Sequence, residues 1–161
     1  MNHHQVITRG AADTEALAGR IGDLLEGGDV VLLAGDLGAG KTVFARGLGV
    51  SLGVVERVVS PTFTLAREYG GRLRMVHADV YRLDRVHELL DLGLDDLAGD
   101  DAVTVVEWGD VVSGELPADR LEVALELVPG SPDHRRITVH ARGATWARRG
   151  AQLHDALRSS T

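Results

Sequence analysis

The sequence predicts a single mixed α/β domain, in which helices pack against a mainly parallel central sheet with antiparallel late strands. Two short apolar runs, at residues 29–35 and 102–107, lack polar alternation and are typical of strands buried on both faces. Segments with helical spacing of apolar residues lie before and after the first run. With 161 residues and no evident repeat or linker, we expect one domain over residues 1–161.

The first third of the chain predicts a helix, a strand and a second helix. Residues 13–28 carry leucine and isoleucine at helical spacing and end in a glycine pair, which stops a helix. The buried strand at 29–35 follows, and residues 40–53 form the second helix. Residues 58–65 break at Ser60-Pro61, so we expect a loop that leaves a short strand.

The middle of the chain predicts a hairpin, a helix and a strand. Residues 63–83 hold two extended stretches on either side of the Gly70-Gly71 turn. In the second stretch His77 and Asp79 share one face with Leu73 and Met75. Residues 85–99 are helical in their first half and acidic in their second.

Two late strands and a helix complete the prediction. Residues 120–128 and 135–143 alternate polar and apolar side chains, as antiparallel strands do, and residues 129–134 join them. We expect residues 144–158 to form a surface helix.

Composition excludes several classes of function. The net charge of −7 argues against a large nonspecific nucleic-acid surface. The absence of cysteine excludes disulfides, thiol catalysis and cysteine-bound zinc. No apolar run approaches the roughly 20 residues of a membrane helix, and the N-terminus lacks the apolar core of a signal peptide. We therefore expect a cytoplasmic protein with no membrane association.

The segment "GDLGAGKT", Gly35 to Thr42, matches the phosphate-loop pattern G-x-x-x-x-G-K-[ST]. Its glycines allow backbone N–H groups to surround an anion, and the following helix adds its positive N-terminal end. Lys41 is the only lysine beside 16 arginines, which indicates a task that arginine cannot perform. The alternative is a glycine-rich turn between a strand and a helix. The context favours the phosphate loop, and with it a P-loop NTPase fold of three layers.

A phosphate loop needs a carboxylate that holds Mg²⁺ or positions water, and such a residue usually ends a neighbouring apolar strand. Glu107 and Asp79 both fit. The alternative for each is a strand-end acid that faces solvent or pairs with an arginine such as Arg82. Because the chain has no Asn-Lys-x-Asp sequence for reading guanine, ATP is the expected nucleotide.

Three further features allow two interpretations each. Trp108 could stack on a base or a partner, or belong to the core or its rim. His77 could act in catalysis or be a satisfied buried histidine. Ser60 and Thr62 could sense the γ-phosphate, as GTPase switch loops do, or belong to a simple proline turn.

Four ordered blocks, "GDLGAGKTVF", "VVSPTFTLAREY", "HADVYRLD" and "VVEWGD", together with "DTEALA" near the start, resemble the bacterial TsaE (YjeE) ATPases of tRNA threonylcarbamoyladenosine biosynthesis. The resemblance extends over about residues 6–142. The departures are small: Ala78 stands where the family usually has phenylalanine, and Gly109 follows the tryptophan. The predicted C-terminal helix has no counterpart that we can place.

The resemblance implies a site that binds ATP and Mg²⁺. Lys41, Asp79 and Glu107 would be catalytic, and Thr42, Glu107 and Asp79 would lie at the metal. Trp108 would lie near the active site or the partner surface, and Thr14 and Arg136 at the nucleotide. The residues implied in nucleotide binding are Gly35, Asp36, Leu37, Gly38, Ala39, Gly40, Lys41, Thr42, Val43, Thr14, Trp108 and Arg136.

The resemblance also implies partners. Family members show little ATPase activity alone and work with the TsaD and TsaB proteins, which make N6-threonylcarbamoyladenosine at position 37 of tRNA. Hydrolysis would reset that complex between cycles, so this chain would meet tRNA only indirectly and be a monomer when free.

Two other functions remain open at this point. A small-molecule kinase would share the loop, the sheet and the acid, with Arg82 and Arg85 as candidates for an arginine-bearing lid. A non-hydrolysing module could use nucleotide binding alone to gate assembly.

Overall fold

The computed structural model describes residues 3–59, 66–80, 99–107 and 117–158. Within these ranges the chain forms seven strands and four helices. The strands are β1 (His3–Thr8), β2 (Val30–Ala34), β3 (Ala66–Tyr69), β4 (Arg74–Asp79), β5 (Ala102–Glu107), β6 (Arg120–Val128) and β7 (Ser131–Arg142). The helices are α1 (Ala11–Gly22), α2 (Lys41–Ser51), α3 (Ala144–Arg148) and α4 (Gly150–Arg158).

All seven strands join one sheet in the order β1-β7-β6-β2-β5-β4-β3. The four central strands, β6, β2, β5 and β4, run parallel to one another. The pairs β3–β4, β6–β7 and β1–β7 are antiparallel. The predicted α/β fold with a parallel centre, an early hairpin and antiparallel late strands is therefore confirmed.

The four described helices contribute side chains to one hydrophobic core on one face of the sheet. Leu17 and Ile21 of α1 and Phe44 and Leu48 of α2 are fully buried there. The opposite face also carries buried side chains, such as Val106. The third layer expected of the fold would involve the helix predicted at residues 85–99, of which only Gly99 is among the described residues.

Two predicted boundaries were wrong. The connection between the late strands is only Pro129 and Gly130, because β7 begins at Ser131 and pairs with β6 from there. Residues 58–59 form no strand. Strand β1 was not predicted, since its residues alternate in exposure but are mostly polar.

The C-terminal segment is not one surface helix, as predicted, but two short helices that meet at Arg149 and pack into the core. Trp146, Leu153 and Leu157 are buried. Arg149 forms a bidentate ion pair with Asp29, with N–O distances of 2.6 and 3.3 Å, and lies over the Trp146 ring. A buried ion pair of this geometry fixes the helices to the start of β2. No helix in the described ranges has both the length and the apolar character to cross a membrane.

Candidate functional site

The candidate site begins where β2 ends at Ala34 and α2 starts at Lys41. Gly40 caps the helix with φ of 104°, a left-handed conformation that side chains other than glycine rarely adopt. At Gly35 a Cβ atom would lie 2.5 Å from the carbonyl oxygen of Leu125. Glycine at these positions lets the loop turn closely against β6. The N–H groups of the first turn of α2 point out of the helix end, where they favour an anion.

Lys41 is largely buried under the loop that precedes it. Its ammonium donates hydrogen bonds to the carbonyl oxygens of Gly35 and of Asp36, the latter over 3.2 Å. These contacts place a positive charge beneath the loop that would surround a phosphate. A compact ammonium with three donors on a long stem suits this position better than a planar guanidinium.

Glu107 lies at the end of β5 beside this loop. Thr42 donates its hydroxyl hydrogen bond to Oε1 of Glu107 over 3.1 Å, and the Oε2 atom lies 2.9 Å from Nε2 of His77. The Glu107 side chain is only 3% exposed, and His77 is fully buried. Strands β2, β5 and β4 are parallel neighbours, so their carboxyl ends meet at one edge of the sheet. This topology brings Glu107 together with Thr42 and His77, which lie 65 and 30 positions before it in the chain.

Asp79 is the last residue of β4 and stands in register with Glu107 on β5. The site therefore combines two buried carboxyl groups and the hydroxyl of Thr42. Oxygen donors of this kind suit Mg²⁺, which proteins usually hold through one or two carboxylates together with substrate phosphates. Within the described ranges no three His, Cys, Asp or Glu side chains form a cluster that could hold a metal ion. The two carboxyl groups and the Thr42 hydroxyl are donors that would suit Mg²⁺ held together with nucleotide phosphates.

A small cavity of about 180 Å³ adjoins the loop, and Thr14, Gly38, Gly40 and Val43 are among its lining residues. Thr14 is buried, and its hydroxyl lies 2.7 Å from the Thr8 hydroxyl. The structure therefore places Thr14 at the loop although it is distant in sequence. The remaining loop residues differ in exposure: Leu37 is at the exposed tip, whereas Ala39 is buried.

Arg135 donates hydrogen bonds to the loop, whereas its neighbour Arg136 pairs with Glu126. Arg135 donates from Nε to the carbonyl oxygen of Ala39 over 3.0 Å and from Nη2 to that of Gly38 over 3.3 Å, and it also lines the cavity. Arg136 is directed to the opposite face of the sheet and forms an ion pair with Glu126. A role for Arg135 was not predicted from the sequence. The only available signal was the alternation of β7, which places Arg135 on the same face as buried Ile137.

Several predicted features lie outside the residues that the structure describes. They are Ser60, Thr62, Arg82, Arg85, Trp108 and Gly109. Their assigned roles stay predictions. The contact between His77 and Glu107 was also missed, although both residues were singled out separately.

The chain is similar to known proteins in sequence and in fold. A family model described as threonylcarbamoyl adenosine biosynthesis protein TsaE matches residues 8–137. A protein of Treponema pallidum named tRNA threonylcarbamoyladenosine biosynthesis protein TsaE is 42% identical, and the match covers 83% of this chain and 97% of that protein. A Streptomyces coelicolor protein of the same name is 44% identical over 81% of this chain and 92% of its own length. The crystal structure of Bacillus subtilis YdiB superposes with a TM-score of 0.75 at 33% identity and covers 96% of this chain and 93% of that chain.

Proposed function

We infer that this chain hydrolyses ATP with Mg²⁺ in support of tRNA threonylcarbamoyladenosine biosynthesis. The premise is that the chain belongs to the TsaE family of threonylcarbamoyl adenosine biosynthesis proteins. The match confirms the family resemblance predicted from the four sequence blocks. The observation that carries the proposal is the hydrogen bond from the Thr42 hydroxyl to the Glu107 carboxylate at the phosphate loop. It joins the expected phosphate and metal residues in one site.

In the proposed reaction the chain binds and orients the triphosphate. The N–H groups of the loop and the first turn of α2 would cradle the phosphates, and the Lys41 ammonium would reach the β- and γ-phosphates. Thr42 and Glu107 would hold Mg²⁺, with Asp79 beside them. When bound, the metal ion supplies charge neutralisation for the transferred phosphoryl group. Asp79 or Glu107 would position the attacking water.

The cavity beside the loop suits another part of the nucleotide. Thr14 supplies a hydroxyl and Arg135 a guanidinium at its wall. We propose that the nucleoside end lies near these residues. Arg135 replaces Arg136 in this role, because its guanidinium contacts the loop.

The proposed partners are the TsaD and TsaB proteins. Family membership and the implied low intrinsic activity support a partner-activated enzyme, whose hydrolysis resets the complex that modifies tRNA. The net charge of −7 favours indirect contact with tRNA over a broad nucleic-acid surface.

The deciding experiment measures phosphate release from ATP with and without the TsaD–TsaB pair. We expect stimulation of the wild-type chain and none of Glu107→Gln, while Glu126→Gln on the opposite face serves as control. The absence of stimulation in the wild type would contradict the proposal. Transfer of the γ-phosphate to a small acceptor would indicate a kinase. If Glu107→Gln still supported modification while Lys41→Ala did not, a non-hydrolysing nucleotide gate would be the better description.

A further inference from the structure

We propose that His77 is a positioning residue, which holds the Glu107 carboxylate turned toward Thr42 and thereby sets the affinity of the site for magnesium–nucleotide. This inference rests on the proposed function, in which Glu107 and Thr42 hold Mg²⁺. His77 itself lies behind the carboxylate and is fully buried. It therefore acts through Glu107.

The contacts of Glu107 carry the first step. One carboxylate oxygen accepts from the Thr42 hydroxyl at 3.1 Å, and the other lies 2.9 Å from His77 Nε2. Two different partners at the two oxygens fix the rotation of the carboxylate about its last torsion, which is otherwise soft. Because His77 holds Oε2 of Glu107, the Oε1 atom stays directed toward Thr42 and the proposed metal position. Partners behind a ligand often determine metal affinity in this way.

The direction of the hydrogen bond between His77 and Glu107 follows from the chemistry of the carboxylate. A carboxylate only accepts hydrogen bonds, so Nε2 carries the hydrogen of the contact with Glu107. The other ring nitrogen, Nδ1, is buried and has no hydrogen-bond partner among the described residues. The ring thus acts as a donor toward Glu107, and its Nε2 hydrogen serves that contact.

The place of His77 in its strand supports a specific task. Met75, Val76 and Ala78 around it are buried apolar residues, and an apolar side chain at residue 77 would avoid the cost of burying an imidazole. The contact with Glu107 offsets that cost. A purely structural role is the competing explanation, and it predicts a general loss of stability and of nucleotide binding.

Four variants separate these explanations. Glutamine at residue 77 can place an amide N–H donor near the position of Nε2, whereas asparagine is too short to do so and leucine has no donor. The matched control is Thr104→Val on β5, because the Thr104 hydroxyl is buried and has no hydrogen-bond partner in the described part of the chain. The probe is a fluorescent, non-hydrolysable ATP analogue, whose affinity is measured in EDTA and in Mg²⁺.

We expect Mg²⁺ to increase the affinity of the wild-type chain and of Thr104→Val. In His77→Leu and His77→Asn the increase in affinity caused by Mg²⁺ should be about tenfold smaller, while the affinity in EDTA stays unchanged. About tenfold is the lower end of the effect of removing a residue that hydrogen-bonds a metal ligand. His77→Gln should retain most of the gain. Thermal unfolding without ligand gives the separate readout of structural damage.

The proposal is overturned if His77→Leu and His77→Asn keep the magnesium-dependent gain, if His77→Gln is no better than His77→Asn, or if affinity in EDTA falls equally. If His77→Leu does not fold, the comparison of His77→Gln with His77→Asn decides.

Glu107→Gln separates the role proposed for His77 from the proposed function of the site. If the wild type shows no gain or Glu107→Gln retains it, the metal role of Glu107 fails, and the role of His77 fails with it. If only Glu107→Gln loses the gain, the role of His77 alone is wrong.

Discussion

Two buried carboxylates lie near opposite ends of β2, and they serve the molecule differently. Asp29 precedes the strand, and both of its oxygens meet the guanidinium of Arg149. Glu107 stands in register with Leu33 near the other end, where its oxygens meet the Thr42 hydroxyl and the His77 ring. Both side chains are almost inaccessible to solvent.

The difference lies in what surrounds each carboxylate. The Asp29 pair is enclosed by Trp146, whose ring lies 4.7 Å from the guanidinium carbon, and by the backbone N–H of Glu26. Arg149 also pairs with the Glu26 carboxylate at 2.9 Å, so these contacts lie within the fold and join distant elements. Glu107 instead adjoins a glycine loop shaped for an anion. The same chemical group thus joins distant elements of the fold at one end and, in the proposed function, belongs to a ligand site at the other.

The largest effect should come from breaking the structural pair. Arg149→Met leaves Asp29 buried without its cation, and we expect the free energy of unfolding to fall by about 3–5 kcal/mol. Chemical denaturation measures this loss. Arg148→Met, at an exposed neighbouring arginine, should change stability little. If nucleotide affinity of the folded protein fell as much as stability, the separation between the two ends would be wrong.

Lys41→Arg tests the site at the other end of β2, and it keeps the positive charge of the side chain. We expect partner-stimulated phosphate release to fall about 10²-fold, the scale for losing one preorganised electrostatic contact, because the planar guanidinium cannot reproduce the ammonium beneath the loop. Stability should change far less than in Arg149→Met. Arg158→Lys, on the exposed surface of α4, is the control, because it makes the reverse exchange of the two cations away from the loop. Full activity of Lys41→Arg would contradict the special role of the single lysine.

The neighbouring pair Arg135 and Arg136 sharpens the comparison at the residue level. Arg135→Ala removes donors to two loop carbonyls, so we expect nucleotide affinity to fall about tenfold, which corresponds to the roughly 1.4 kcal/mol of a charged hydrogen bond. Within the described part of the chain, Arg136→Ala removes the 3.5 Å contact with Glu126, and we expect almost no effect on nucleotide affinity. Equilibrium titration with a fluorescent ATP analogue measures both. Equal losses in the two variants would show that the loop contact of Arg135 does not matter.

A third carboxylate, Glu122, is half-exposed and should give the smallest effect. Burial raises its pKa, but hydrogen bonds from Arg142 and Arg120 outweigh burial and hold the pKa below the usual glutamate value. The contribution to stability is therefore present above the unfolded-state pKa and lost as pH falls through the lower folded-state pKa. We expect Glu122→Gln to cost under about 1 kcal/mol at neutral pH. Its unfolding free energy should converge with that of the wild type at acid pH, and a constant difference down to acid pH would contradict this assignment.

Much of the fold could be predicted because its signals are local. The buried strands β2 and β5, the hairpin of β3 and β4, and the helices α1 and α2 all follow from runs, periods and glycines within a few residues. The polar strand β1 was missed because it is recognised only by pairing with β7, some 130 positions away in the chain. The C-terminal segment was predicted to be a surface helix because few of its residues are apolar and buried.

In the candidate site too, the residues that carry a local sequence signal could be predicted, and those that depend on strand register could not. Lys41 and Thr42 belong to a motif whose glycine spacing is itself the signal, and Glu107 and Asp79 follow apolar strands directly. The choice between Arg135 and Arg136 depended on the register of β7 relative to β6. The side-chain period of a strand is two, so a shift of one residue places the other arginine at the loop.

By itself the sequence determined the phosphate-loop motif, the acids that could serve it and the family to which the chain belongs, because each is specified by residue types at short spacing. Only the tertiary structure decided which distant groups meet: His77 with Glu107, Arg135 with the loop, and Arg149 with Asp29. Such meetings depend on strand order and register, which arise from the packing of the whole chain.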